Sequence, residues 1–210
     1  MSISTQKPKS SSARRSTPPA AIGRKATTGQ VFVKTGQAVF HSPLLLHPHR
    51  SELTNFLARG DLDDVLEKHT MSVLFYAPLA ERIDWINAGV PGKFANFLIC
   101  HSGVLEKYEA LEALDLPRAT FDRWIKKGAV FPASESEKIL GFGALIGQVE
   151  AMVAENPDAK DFDARAWLSK WLTTPLPALG DKKPVEYLNT IAGQTLVSSM
   201  LARMAEGVYA

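Results

Sequence analysis

From Trp171 to Ala210 the chain reads WLTTPLPALGDKKPVEYLNTIAGQTLVSSMLARMAEGVYA. Pro175, Pro177 and Gly180 forbid a regular element at the start of this stretch, because proline lacks a backbone donor and glycine relaxes into turns. From Thr190 the pattern changes. Val197, Met200, Leu201, Met204 and Val208 recur at i, i+3, i+4, i+7 and i+11, the spacing of one helical face. A helix at a chain end frays unless it docks. The stripe therefore demands a receiving surface, either in this molecule or in a second one.

The rest of the chain has the make-up of an ordinary globular protein: 210 residues, 45% hydrophobic and 22% charged, enough for one or two domains with a real core. No apolar run approaches the roughly 18 residues of a bilayer span, and the N-terminus lacks the hydrophobic segment of a secretory signal. Cys100 has no second cysteine to pair with and sits in the apolar run FANFLICH, where a buried structural thiol is expected rather than a nucleophile. These features predict a cytoplasmic protein without membrane association. The net charge of +2 conceals an asymmetry: residues 1–30 hold Lys7, Lys9, Arg14, Arg15, Arg24 and Lys25 and no acid, leaving eighteen bases against twenty-two acids, a net of −4, in the remainder. A basic tail of this kind either attracts phosphates or simply solubilises.

In order along the chain, the Ser, Thr, Pro and Lys bias of residues 1–30 predicts disorder. Val31 to Phe40 reads as a hairpin about Thr35-Gly36-Gln37, and short helices are expected over Ser51–Arg59 and Asp61–His69. Leu79, Ile83 and Ile86 then mark one face of a helix that stops at Gly89. A second apolar segment runs from Phe94 to His101. Leu105, Tyr108, Leu111 and Leu114 mark a third helix, halted near Pro117 because the residue before a proline is pushed out of the helical region. Ser134 and Glu137 have capping-box spacing, opening a long helix through Ile139, Phe142, Leu145, Ile146, Val149, Met152 and Val153. Gly141, Gly143 and Gly147 lie within that pattern rather than after a strand, so they allow close helix approach and do not form a dinucleotide loop. Asp163 caps a helix carrying Trp167 and Trp171.

The segment RATFDRWIKKG, Arg118 to Gly128, gathers Phe121, Trp124 and Ile125 on one face and Ala119, Arg123, Lys126 and Lys127 on the other. Following another helix across a short turn, it has the layout of a helix-turn-helix, whose second helix enters the major groove. A solvated basic face gives the same pattern, and periodicity alone leaves both readings open. No catalytic constellation emerges. The five histidines are scattered, His47-Pro48-His49 lacks the cysteines or carboxylates of a metal site, and no G-x-S-x-G occurs. Neither an enzyme nor a metal or cofactor site is expected.

Taken in order, Trp171, Leu172, Thr174, Pro175, Pro177, Ala178, Leu179, Gly180, Lys183, Pro184, Leu188, Thr190, Gly193, Val197, Leu201, Arg203, Gly207, Val208 and Tyr209 resemble the C-terminal domain of the Xre/MbcA/ParS-type antitoxins. Leu116, Pro117, Arg118, Thr120, Lys126, Lys127 and Gly128 resemble the helix-turn-helix region of the same family. The resemblance covers about residues 76–210. It implies an all-α fold, with a helix-turn-helix domain and connecting helix at 76–155 and a toxin-binding domain at 156–210; it does not account for the disordered basic tail expected at 1–30 or for the extension at 31–75, which is suited to dimerisation. It also implies an antitoxin whose C-terminal helix and tail block a RES-domain toxin that consumes NAD or uses it to ADP-ribosylate a target. Val197, Met200, Leu201, Arg203, Met204, Gly207, Val208, Tyr209 and Ala210 would then contact the toxin. Arg118, Thr120, Arg123, Lys126 and Lys127 would contact operator DNA, bound by a homodimer. The alternative is a stand-alone helix-turn-helix regulator without a toxin. One departure stands out: where the family often has Gly-Gly after Ala-Leu, this chain has Gly180-Asp181, at a turn expected to need positive φ at its second position.

Overall fold

The computed structural model describes residues 64–154 and 161–205, with Leu53, Asn55 and Ala159 besides. The tail at 1–30, the hairpin at Val31–Phe40, His47-Pro48-His49 and the terminal Gly207, Val208, Tyr209 and Ala210 lie outside these residues. Among the described residues the fold is all-α. In chain order α1 is Asp64–Tyr76, α2 Leu79–Ala88, α3 Gly92–Cys100, α4 Lys107–Ala113, α5 Arg118–Lys127, α6 Ala133–Ala154, α7 Ala164–Thr173 and α8 Ile191–Ala205, with 3-10 turns at Pro177–Leu179 and Pro184–Tyr187. The backbone pairs across chain segments only in isolated antiparallel bridges, Pro91 with Val130 and Leu176 with Lys182.

The molecule is built around α6. Its 22 residues span about 33 Å at the helical rise, and Ile139 through Val149 are buried on every side. A helix apolar all round must be enclosed by others, and here α1, α2, α3, α7 and α8 enclose it. Small residues set how close they come. A β-carbon on Gly147 would lie 1.8 Å from the Met71 carbonyl oxygen of α1, one on Gly143 would lie 2.6 Å from Leu74 Cδ1, and one on Gly141 would lie 2.0 Å from Gln194 Oε1 of α8. The glycines thus permit close approach, as their position in a helical pattern predicts. One hydrophobic core results, running from Leu53 through α1 and α6 to Leu201. The α1 helix, placed by the sequence in the 31–75 extension, is an inner part of it and runs past the expected end at His69 to Tyr76.

Several local expectations change in detail. On α2 it is Trp85 that packs inward, at 5% exposure, while Leu79 and Ile83 stand 71% and 46% exposed. The α4 helix ends before Pro117 matters. Asp115 takes φ 52, Asp115 N–H reaches Glu112 O at 3.0 Å and Leu116 N–H reaches Leu111 O at 2.8 Å, a Schellman closure with aspartate where glycine is usual. The α6 helix begins at Ala133, so Ser134 lies inside its first turn and donates to the neighbouring Glu135 instead of heading a capping box. The residue that matters there is the buried Ser136, whose hydroxyl donates to Phe131 O at 3.0 Å and accepts from Val90 N–H at 2.8 Å. That link fastens the α2–α3 connection to the start of α6. Cys100 is half-buried and donates weakly to Asn96 Oδ1 at 3.3 Å; burial pushes its thiol pKa up, despite the opposing pull of Lys107.

The close approach at Gly147 can be tested against a glycine with open surroundings. Gly147→Ala must displace backbone and should cost about 1–3 kcal/mol or more. Gly128→Ala meets nothing within 4 Å and carries only the cost of φ +61, about 1 kcal/mol. Urea unfolding of both variants measures the difference, and equal losses would refute the close seating of α1 on α6.

Candidate functional surfaces

The two expected contact surfaces lie on α5 and α8. Helix α5 is held by its apolar face: Phe121 is buried, Trp124 and Ile125 are half-buried, and the ring of Phe131 lies 5.4 Å from Phe121 and 4.7 Å from Trp124. Its C-terminus closes on Gly128, at φ 61, with Gly128 N–H to Ile125 O and Ala129 N–H to Trp124 O, both at 3.0 Å. The helix cannot roll without dislodging those rings. Arg118, Arg123, Lys126 and Lys127 therefore all point to solvent, while Thr120 is half-buried at the edge.

Asp122 shares that outward face, but it is not left free. Lys107 of α4 reaches it at 2.6 Å, and this hydrogen bond holds the lysine ammonium above the usual lysine range. The turn between α4 and α5 covers Leu114 to Pro117. Around this pair, acids (Glu106, Glu109, Glu112, Asp115, Asp122) are as many as bases (Lys107, Arg118, Arg123, Lys126, Lys127). Apart from the paired Lys107 and Asp122, the acids lie along α4 and its flanking turns and the bases on α5.

The approach to α8 starts in the proline-rich stretch. Asp163 caps α7, accepting from Arg165 N–H at 3.1 Å and Ala166 N–H at 2.9 Å, and Arg165 Nε donates to Glu150 Oε1 of α6 at 2.8 Å. Trp167 and Trp171 stack with centroids 6.1 Å apart. The chain then turns at Gly180, φ 65, and Asp181, φ 61, so aspartate itself adopts the left-handed conformation the turn requires. Asp181 N–H donates to Leu176 O and Leu176 N–H to Lys182 O, both at 3.0 Å.

On α8, Thr190 Oγ1 accepts from Gly193 N–H at 3.1 Å, and a β-carbon on Gly193 would lie 1.9 Å from Tyr187 O, so the first turn seats directly on the preceding 3-10 turn. Two buried glutamines then lock the helix to its neighbours. Gln194 Nε2 donates to Leu188 O at 3.0 Å and to Lys138 O of α6 at 3.1 Å. Gln148 Nε2 donates to Ser198 O at 3.0 Å and Gln148 Oε1 accepts from the Ser198 hydroxyl at 2.8 Å. Val197, Met200 and Leu201 are buried against this seat and Met204 is half-buried. Of the two receiving surfaces that the spacing leaves open, the stripe takes the one in this molecule, α6.

What α8 presents outward is its other face, Ile191, Ala192, Thr195, Leu196, Ser199, Ala202 and Arg203, all exposed. Ile191 and Leu196 stand 38% and 41% exposed on it, and Arg203 carries its only formal charge. Apart from Arg203, none of these residues is among the toxin contacts that the resemblance implies, because the stripe draws attention to the opposite face. The available signal was that Ile191 and Leu196 fall off the stripe, along with a run of small residues and no acid.

Among the described residues no group of three or more His, Cys, Asp or Glu could hold a metal ion, and no helix is long and apolar enough to cross a membrane. Residues 162–207, which include α7, the double turn and α8, match the profile of the antitoxin Xre/MbcA/ParS C-terminal toxin-binding domain. Over 137 residues the chain is 37% identical to a Prs ADP-ribosylating antitoxin of Sphingobium sp. (strain YBL2), a match covering 65% of this chain and 86% of that protein. The chain belongs to the Xre/MbcA/ParS-type antitoxins, and its coarse function is that of the antitoxin half of a toxin–antitoxin system.

The Gly180-Asp181 turn yields a stability test. Asp181→Gly removes a left-handed side-chain cost while loosening the unfolded chain, so it should be neutral or stabilising by up to about 1 kcal/mol. Asp181→Val, β-branched at positive φ, should destabilise by more than about 1 kcal/mol. Thermal midpoints of the two variants decide, and a tolerated valine would mean that the turn does not hold this geometry.

Proposed function

We propose that this chain neutralises a RES-domain toxin, one that consumes NAD or transfers ADP-ribose from it, by docking the outer face of α8 on the toxin. The residues that follow the helix enter the toxin's cleft. The observation that carries this reading is the division of α8: its inner face is spent on α6, and its outer face leaves Ile191 and Leu196 without cover beside Arg203. Exposed apolar side chains beside one positive charge suit a partner surface with an apolar centre and an acidic rim. Support for the toxin's chemistry comes from the Sphingobium relative, whose name couples it to a Prs ADP-ribosylating activity. In this reading Val197, Met200, Leu201 and Met204 contribute by holding the helix, whereas Arg203, Gly207, Val208, Tyr209 and Ala210 make the contact. The aromatic ring of Tyr209 is an apt anchor for a nucleotide pocket.

The same chain binds its own operator as a homodimer, with α4 and α5 as helix-turn-helix and Arg118, Thr120, Arg123, Lys126 and Lys127 against DNA. The rigid seat of α5 and its outward bases support this, and a two-fold protein suits a symmetric operator. The match to a toxin-binding domain favours this pair of roles over a stand-alone regulator.

Two experiments separate the surfaces. Lys126→Ala with Lys127→Ala should flatten the log–log salt dependence of operator affinity by up to about two units and leave toxin neutralisation intact. An unchanged slope would mean the bases are only solvated. Conversely, Leu196→Asp, Arg203→Glu or deletion of Gly207 to Ala210 should abolish protection of cells from the cognate toxin, with operator binding and melting temperature nearly unchanged. Full protection by all of these variants would remove the α8 mechanism.

A further inference from the structure

Tyr108 falls on the apolar stripe of α4 in the sequence, yet its ring is 51% exposed, and the guanidinium of Arg118 lies over it, 4.4 Å from the ring centroid. The adjacent Lys107 reaches Asp122 at 2.6 Å while lying 5.6 Å from the Phe121 ring centroid and 5.8 Å from that of Tyr108. Consecutive residues of α4 thus act on α5 in two ways: Lys107 cancels the acid within the basic face, and Tyr108 holds its first arginine.

We infer that Tyr108 is a positioning residue for Arg118, and that Arg118 so held reads a guanine, in contrast to the phosphate-contacting Lys126 and Lys127. This rests on the reading of α5 as the DNA-contacting helix. Arginine is a long side chain whose rotamer freedom opposes any single geometry. A guanidinium lying over an aromatic face loses that freedom before DNA arrives, while its N–H donors remain free at the rim. Those donors match O6 and N7 of guanine, and base-edge contacts come from the N-terminal residues of a recognition helix. Arg118 is the first residue of α5. The lysines lie in the last turn, where a compact ammonium suits phosphate.

The test measures binding of the full chain to two duplexes, one covering the region directly upstream of its own gene and one of the same base composition shuffled. Arg118→Ala should lower the preference for the upstream duplex by about tenfold. Tyr108→Leu, which keeps apolar bulk without the ring face, should lower it roughly two- to fivefold, and Tyr108→Phe should keep it. Neither Tyr108 variant should change affinity for the shuffled duplex or the salt slope, which a general loosening of α4 against α5 would move. In the Arg118→Ala background Tyr108→Leu should have no further effect. Independent, additive losses would overturn the inference, as would a wild-type protein with no preference between the duplexes. If Lys126→Ala with Lys127→Ala leaves binding to both duplexes unchanged, the DNA reading itself fails. If it weakens both while the Tyr108 and Arg118 effects are additive, only the positioning role of Tyr108 does.

Discussion

Backbone-to-backbone contact between α1 and α6 at Gly147, where even a methyl group would sit inside the Met71 carbonyl, is the constraint on which the other elements depend. It brings α1 so close that Leu74 covers Gly143 from the same side, and Leu98 of α3 reaches the same glycine. With α1 fixed on one side, α8 closes another through Gly141 and Gln194. A helix without side chains at these points gives up some intrinsic helical stability, on the order of 1 kcal/mol per glycine. The dense packing around α6 offsets that loss, since tertiary burial rather than propensity sustains most helices.

The two surfaces proposed to meet partners are the outward halves of helices whose inward halves are anchored by different chemistry. Rings anchor α5: Phe121, Trp124 and Phe131 form a cluster that resists rotation because aromatic side chains have few ways to repack. Carboxamides anchor α8. Gln148 and Gln194 are buried, and each meets its partners with donors and acceptors at set positions, so a slip of one residue would leave them unsatisfied in the interior. Non-directional burial of Val197 and Leu201 supplies attraction, and the glutamines supply the angle at which the outer face is shown.

Much of this was legible from residue order. Glycines and prolines punctuated the chain where helices break, the two-sided composition of Arg118 to Gly128 gave both the buried and the outward face of α5, and Asp163 announced its helix. Periodicity failed where it had to name a neighbour. It showed that α8 is striped but not that α6 is the element that fills the stripe. On α2 the aligned Leu79 and Ile83 stand outward and Trp85, off that line, packs inward. Asp115 was hidden for another reason: with no glycine to mark the turn, only the hydrogen bonds that close it reveal its positive φ, whereas at Asp181 the family pattern had already marked the position. The ordered matches from Trp171 to Gly193 fared better, because they encode those closures jointly: Thr190 and Gly193, unremarkable alone, are cap and seat of one helix turn.

The glutamine clamp makes α8 a thermodynamic extension of the core. Because its inner face and carboxamide bonds end on α6, opening the helix along Gly193 to Leu201 also uncovers the core around α6. Any partner that grips its outer face without binding the unfolded chain draws on the same equilibrium as α1 and α6, and ligation is felt throughout the molecule as added resistance to opening, growing with the logarithm of free partner concentration over its dissociation constant. An antitoxin built this way becomes more durable as its toxin accumulates, and one left without toxin is the more exposed to whatever degrades opened chains.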